Sequence, residues 1–144
     1  MSHVEIASPY QPFEFYPHMG AADAAIWDRF VHANPKRFLR VWYDFRVGDN
    51  DPVDPECSAI ARDCWWDLTH WRIDVVAEDL SKIYVIEVKP NANAKALGQA
   101  GSYAMLYEED EKPKKPVVAV VLTDTIIPTT KRIADKSGIE IWVV

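Results

Sequence analysis

The sequence predicts an α/β protein, a single mixed β-sheet flanked by helices in the order α-β-β-β-α-β-α-β. Three observations lead there. Five short runs are dense in β-branched and aromatic residues, as strands are. The second and third of these are joined by a link short enough for a hairpin, whereas the later ones are separated by helical segments, so antiparallel pairing must give way to crossovers. A length of 144 residues buries one core and leaves no room for a second module.

Taken in order, residues 1–20 are rich in proline and aromatic residues (Pro9, Tyr10, Pro12, Phe13, Phe15, Tyr16, Pro17), which forbids a regular helix and suits an extended arm laying its rings on a surface. The domain proper is expected over 21–144. Ala24, Trp27, Phe30 and Val31 share one face of a helix over 21–33, which Asn34-Pro35 stops. Strands are expected over 37–47, 64–77 and 82–89, the last ended by Pro90. The link 78–81 closes a hairpin between the second and third.

A helix over 94–108 carries small residues (Ala96, Gly98, Ala100, Gly101, Ala104) that would let it lie close on the sheet. The nearly all-apolar run 116–122 reads as a strand covered on both faces. A short helix over 129–136 is stopped by Ser137-Gly138, and a last strand runs over 139–144.

Composition narrows the class. Hydrophobic residues make up 49% and charged residues 26%, as in a globular protein. No apolar run reaches the length of a membrane span, and the start lacks a secretory pattern, so cytoplasmic synthesis is expected. Cys57 and Cys64, with His70 beyond, match no common zinc spacing and read as buried thiols. Asp49, Asp51 and Asp54 do not make a calcium loop, because Val53, Asp54 and Ile60 stand where a ligand, a glycine and a glutamate are needed. The net charge of −6 means that any grip on nucleic acid must be local. Lys112, Lys114 and Lys115 read as a solvated turn diluted by the acids over 108–111. Trp65 and Trp66 would point to opposite faces of a strand, one to the core and one to an interface.

The chemistry lies on the predicted hairpin. Alternation puts Arg72, Asp74 and Val76 on one face of the second strand and projects Glu87 and Lys89 together from the third. Burying such charged groups costs several kcal/mol unless something offsets it. In a hairpin, Asp74 and Glu87 sit across from each other near the open end. Two facing carboxylates repel unless a cation joins them, and oxygen ligands of this kind suit Mg²⁺ or Mn²⁺. Gln99 and Tyr103 are four apart and share a helix face. Asp23 lies on the apolar face of the first helix; near a helix N-terminus it reads as an acid meeting free N–H groups.

Asp74, then Glu87-Val88-Lys89 ending the next strand, then a helix with Gln99 to Tyr103, resembles the PD-(D/E)XK nuclease superfamily. The Gln99/Tyr103 pair is similar to the QxxxY motif of its RecB-like branch. The resemblance spans residues 21–122, with one departure: Ile73 stands where the name-giving proline would be. It implies a restriction-endonuclease-like core and a metal-dependent nuclease that hydrolyses DNA phosphodiester bonds, in a family common in phages and mobile elements. Carried over residue by residue, Asp74 and Glu87 are metal ligands with the Val88 carbonyl a third, Lys89 is the catalytic lysine, and Gln99 and Tyr103 position the phosphate or the lysine; the first helix, where Asp23 stands, often carries an extra acid in this family. The other class of reading is a nuclease fold kept as a structural part of a virion or complex. In either case the arm, Pro9 to Pro17 above all, is expected in an interface with a second copy or a protein partner.

Overall fold

The structure, a computed structural model, describes residues 6–48 and 71–144. The element order is α1 (Ala21–Ala33), β1 (Arg40–Val47), β2 (Trp71–Glu78), β3 (Ile83–Val88), α2 (Ala94–Glu111), β4 (Val117–Thr123), α3 (Pro128–Ser137) and β5 (Glu140–Val143). Cys57, Cys64, His70, Trp65, Trp66, the aspartates over 49–54 and the expected strand residues 64–70 lie outside the described residues.

The five strands form one mixed sheet in the order β1-β2-β3-β4-β5. β1–β2 and β2–β3 pair antiparallel; β3–β4 and β4–β5 pair parallel through the crossovers α2 and α3. This is the predicted α/β architecture. Local chemistry sets the helix ends. Asn34 closes α1 by donating its backbone and side-chain N–H groups to the Phe30 carbonyl. Asn93 caps α2 by accepting from the Ala96 amide at 3.0 Å. Pro128 opens α3, and Gly138 closes it at φ 72°, the left-handed region that glycine enters without penalty.

The two faces of the sheet bury separate cores. On one, α1 sets Trp27, Phe30 and Val31 against Val41, Val75, Ile86, Val88, Val120 and Leu122. The arm joins this face. Tyr16 is buried, Tyr10 packs edge-on against Trp27 and Phe38, and Tyr16 donates to Asp28 at 2.6 Å. Ser8 bridges the outer edge of β1 at Val41. The arm therefore covers its own chain's core, leaving Ile6 and Phe15 as its most exposed large apolar side chains.

On the other face, α2 lays Ala104 and Tyr107 over Ile73, Val76, Ile83 and Val85, and Ala96 and Ala100 of α2 with Ala134 of α3 pack with Val121. The expectation for the glycines of α2 needs correcting. Alanines make the close approach; Gly98 is exposed and a methyl there would meet nothing within 4 Å, while one at Gly101 would make an ordinary 3.7 Å contact with Ile139.

Alternation also breaks where it was expected to hold. Val75 packs on the α1 face, yet Ile73 packs with Val76 on the α2 face. In β1, Tyr43 and Phe45 part in the same way around Asp44, whose φ is 52°. Both strands switch faces at Asp44 and Asp74, so Arg72 does not share the face of Val76. The cause is the left-handed residue in β1, which turns the strand about its own axis and carries its partner with it.

Candidate active site

Four elements converge at the open end of the β2–β3 hairpin. The last paired residues there are Val75 and Ile86, so Asp74 and Glu87 stand opposite each other one step further on. Because β2 switches faces at Asp74, its carboxylate lies along the strand gap, where Oδ2 accepts from the Val88 amide at 2.9 Å. In an extended strand a residue's N–H and C=O point to the same side. The Val88 carbonyl is thereby directed towards the Asp74 edge, while the Lys89 amide donates across to Leu122 at 2.9 Å.

Glu87 follows Val85 on the α2 face and is 9% exposed. Its carboxyl lies against that of Asp74, and its Oε2 is fully buried and meets no N–H or O–H donor among the described residues. Burial pushes the Glu87 carboxyl well above the ordinary range, Asp74 and Asp23 push the same way, and Lys89 opposes them. Burial likewise raises Asp74 against the Val88 amide, with Asp23 and Asp44 adding to the rise. The two acids titrate as a pair, and both are shifted towards the protonated form.

The remaining expected residues are brought to the same place. Lys89 stands just past β3, within electrostatic reach of Glu87 and Asp23. Across the pair, Gln99 lies within reach of the Tyr103 hydroxyl on α2, and that hydroxyl is raised by burial first and then by Glu87 and Asp74. Trp71, 43% exposed, meets the Tyr103 ring edge-on at 5.7 Å.

Two further acids belong to this constellation. Asp23, raised by burial, faces Asp74, Glu87 and Lys89 from α1, the place of the extra acid rather than of a plain helix-terminus acid. Its place on the apolar helix face was the available signal. Asp44 acts on Asp74 from β1, and no sequence signal marked it.

Among the described residues, no three His, Cys, Asp or Glu side chains stand together as a metal-holding group. A Mg²⁺ site does not require one, since that ion is typically held by one or two carboxylates, with water and substrate oxygens completing its shell. Two adjoining carboxylates, a neighbouring backbone carbonyl and an unpartnered Glu87 Oε2 supply oxygen donors of that kind. The donor set fits.

No protein-family model matches the chain, and no curated protein matches it. Among solved structures the chain is similar to a repair endonuclease from Pyrococcus abyssi, at 17% identity and a TM-score of 0.51, over 92% of this chain and 49% of that one. It is similar also to EndoMS in its complex with dsDNA, at 18% identity and a TM-score of 0.51, over 92% of this chain and 48% of that one. The fold is restriction-endonuclease-like. The chain spans about half the length of these structures. No helix of the described residues is long and apolar enough to cross a membrane.

Proposed function

We propose that this chain is a metal-dependent nuclease of the PD-(D/E)XK type that hydrolyses DNA phosphodiester bonds, with Gln99 and Tyr103 as the QxxxY pair of the RecB-like branch. The observation that carries the reading is the buried contact between Asp74 and Glu87, with one Glu87 oxygen unpartnered, at the mouth of a hairpin that ends in Lys89. A fold stabilised for its own sake would place a cation or an amide there, because each buried carboxylate facing another costs several kcal/mol. Asp74, Glu87 and the Val88 carbonyl would hold Mg²⁺ or Mn²⁺. Bound there, the ion would neutralise the pair, lower the pKa of a coordinated water and stabilise charge on the phosphate.

The chain's own residues do the rest. The Val88 amide fixes the rotamer of Asp74. Lys89 brings a positive charge to the phosphate oxygens, where negative charge grows as the water oxygen bonds to phosphorus and the ester oxygen leaves. Gln99 orients the Tyr103 hydroxyl over the pair, and Ile73 in place of a proline leaves all of these groups untouched.

Purified protein incubated with Mg²⁺ or Mn²⁺ and linear, circular or single-stranded DNA tests the reading. Cleavage is expected with metal, lost with chelator and lost in Asp74→Asn. Undiminished Mn²⁺ affinity of Asp74→Asn by calorimetry would remove Asp74 from the metal site. The second reading, a nuclease fold retained as an assembly part, draws on the net charge of −6 and on exposed Ile6 and Phe15. Metal-dependent cutting by the parent protein would overturn it as the sole role.

A further inference from the structure

Beside the catalytic pair, on the α1 face, lies a group of side chains that the proposed chemistry does not use. Arg46 and Arg72 are direct partners in the β1–β2 ladder. Phe45, Val47 and Ile73 all pack on the α2 face, so the two arginines, which alternate with them, both project to the α1 face. Like charges directly opposite one another destabilise a strand pair.

His18 completes the group. It sits just before α1 at φ 57°, with Nδ1 3.2 Å from Nη1 of Arg72 and Nε2 3.1 Å from Oδ2 of Asp44. A guanidinium only donates, so Nδ1 accepts and the Nε2–H donates to Asp44. Asp44 also pairs with Arg72 at 3.7 Å. His18 and Asp44 are both non-glycine residues at positive φ, a conformation that costs about 1 kcal/mol or more each. The Asp44 carboxylate is thus shared by Arg72 and His18, and the side chains of His18 and Arg72 remain 60% and 40% exposed. In a chain of net charge −6 this is a local excess of exposed donors. Asp44 lies within electrostatic reach of Asp74, so the group borders the catalytic pair.

We propose that Arg46, Arg72 and His18 form a phosphate-binding rim that grips the backbone of duplex DNA next to the bond being cut. The proposal rests on the nuclease reading for its substrate, though not for its test. A phosphate between the two guanidiniums would relieve their repulsion and meet the planar fork that Arg presents to phosphate oxygens. His18, held by Asp44, supports the Arg72 guanidinium from its other side.

The test is fluorescence anisotropy with a labelled DNA duplex, in a Lys89→Ala background so that nothing is cut, over a salt series. Arg72→Gln and Arg46→Gln should each weaken binding about tenfold and reduce the slope of log affinity against log salt by about one. Arg72→Lys should restore the slope but only part of the affinity, since it keeps the charge and loses the fork. His18→Gln should cost a few-fold with the slope unchanged. Melting curves guard against misfolding, and Arg72→Lys serves as the variant if Arg72→Gln does not fold. Parent affinity and slope in folded Arg72→Gln and Arg46→Gln would overturn the rim and leave the catalytic reading standing. Arginine-dependent binding by a parent protein that cuts nothing with any divalent metal would uphold the rim and overturn the catalytic reading. A background protein that does not bind duplex at low salt would overturn the rim as well.

Discussion

The two ends of the β2–β3 pair each hold acidic side chains, and they treat them in opposite ways. At the turn end, Asp79 accepts from the Ser81 and Lys82 amides at 2.8 and 2.7 Å, from the Tyr84 hydroxyl at 2.9 Å and from Arg37 at 3.1 Å. Arg37 stacks in turn over Phe38, Tyr84 and Trp142, and Glu78 pairs with Arg40 and Lys115. Partial burial opposes ionisation, but these donors hold the Asp79 carboxyl well below the usual range. At the open end Asp74 and Glu87 face each other, with Asp23 and Asp44 behind them, and burial raises both. One end spends its polar groups on closing the turn. The other keeps acids in mutual contact, a stability cost that a fold bears where chemistry requires it.

The largest expected difference between the ends is in catalysis. Glu87→Gln and Lys89→Ala should each lower DNA cleavage by a factor of a hundred or more, about 3 kcal/mol of transition-state stabilisation. Asp79→Ala, assayed where it is folded, should cut within about twofold of the parent. Initial rates on a labelled duplex measure this. A Lys89→Ala protein cutting at the parent's rate would reduce that lysine to a structural charge, and a large loss in Asp79→Ala would dissolve the contrast between the ends.

Stability should respond the other way round. Asp79→Ala removes the acceptor of five hydrogen bonds and leaves the Arg37 guanidinium without its acid, which should destabilise by about 2 kcal/mol. Urea unfolding checks it. An unchanged midpoint would mean that the ring stack on Arg37 closes this end without the acid.

How much of this was legible in the sequence follows from the range of each interaction. Helix ends announced themselves through Asn34-Pro35 and Gly138, strands through their β-branched runs, and the Asp74–Glu87 contact through the short hairpin link. All are local or nearest-neighbour signals. Asp44 was silent because its left-handed conformation falls on an aspartate inside a strand-like run, where nothing local distinguishes it. That one residue also reversed the face of Arg72. The arm's rings were expected to lie on a surface, the chain's own or a neighbour's; Tyr10 and Tyr16 pack on the core of α1 and β1, and only tertiary contact could show that. Asp23 was noticed on the right helix face; that the helix aims it at the hairpin mouth depends on packing between elements far apart in the chain.

The smallest and most discriminating effect is the pH dependence of the metal-free protein. A carboxyl whose pKa is raised by folding contributes stability that is fully present below its unfolded pKa and is lost as pH rises through the folded one. Asp74 and Glu87 are both raised. Their contribution should therefore fall from the ordinary carboxylate range near pH 4 upward through neutrality. Asp79 is lowered, so its contribution is present above its unfolded pKa and lost only as pH falls below that range. Between about pH 5 and 8 the turn end is constant and the open end alone should change. Glu87→Gln removes the carboxyl that folding forces to keep its proton, and should exceed the parent by about 1 kcal/mol at pH 8 while gaining nothing at pH 5. Added Mn²⁺ should stabilise the parent at pH 8 and do little for the variant, because only the parent offers both carboxylates to the ion. Thermal melts at the two pH values, with and without Mn²⁺, measure all four quantities. Parent and variant running parallel across that range would mean that the pair is not strained, and the contrast between the two ends would lose its physical basis.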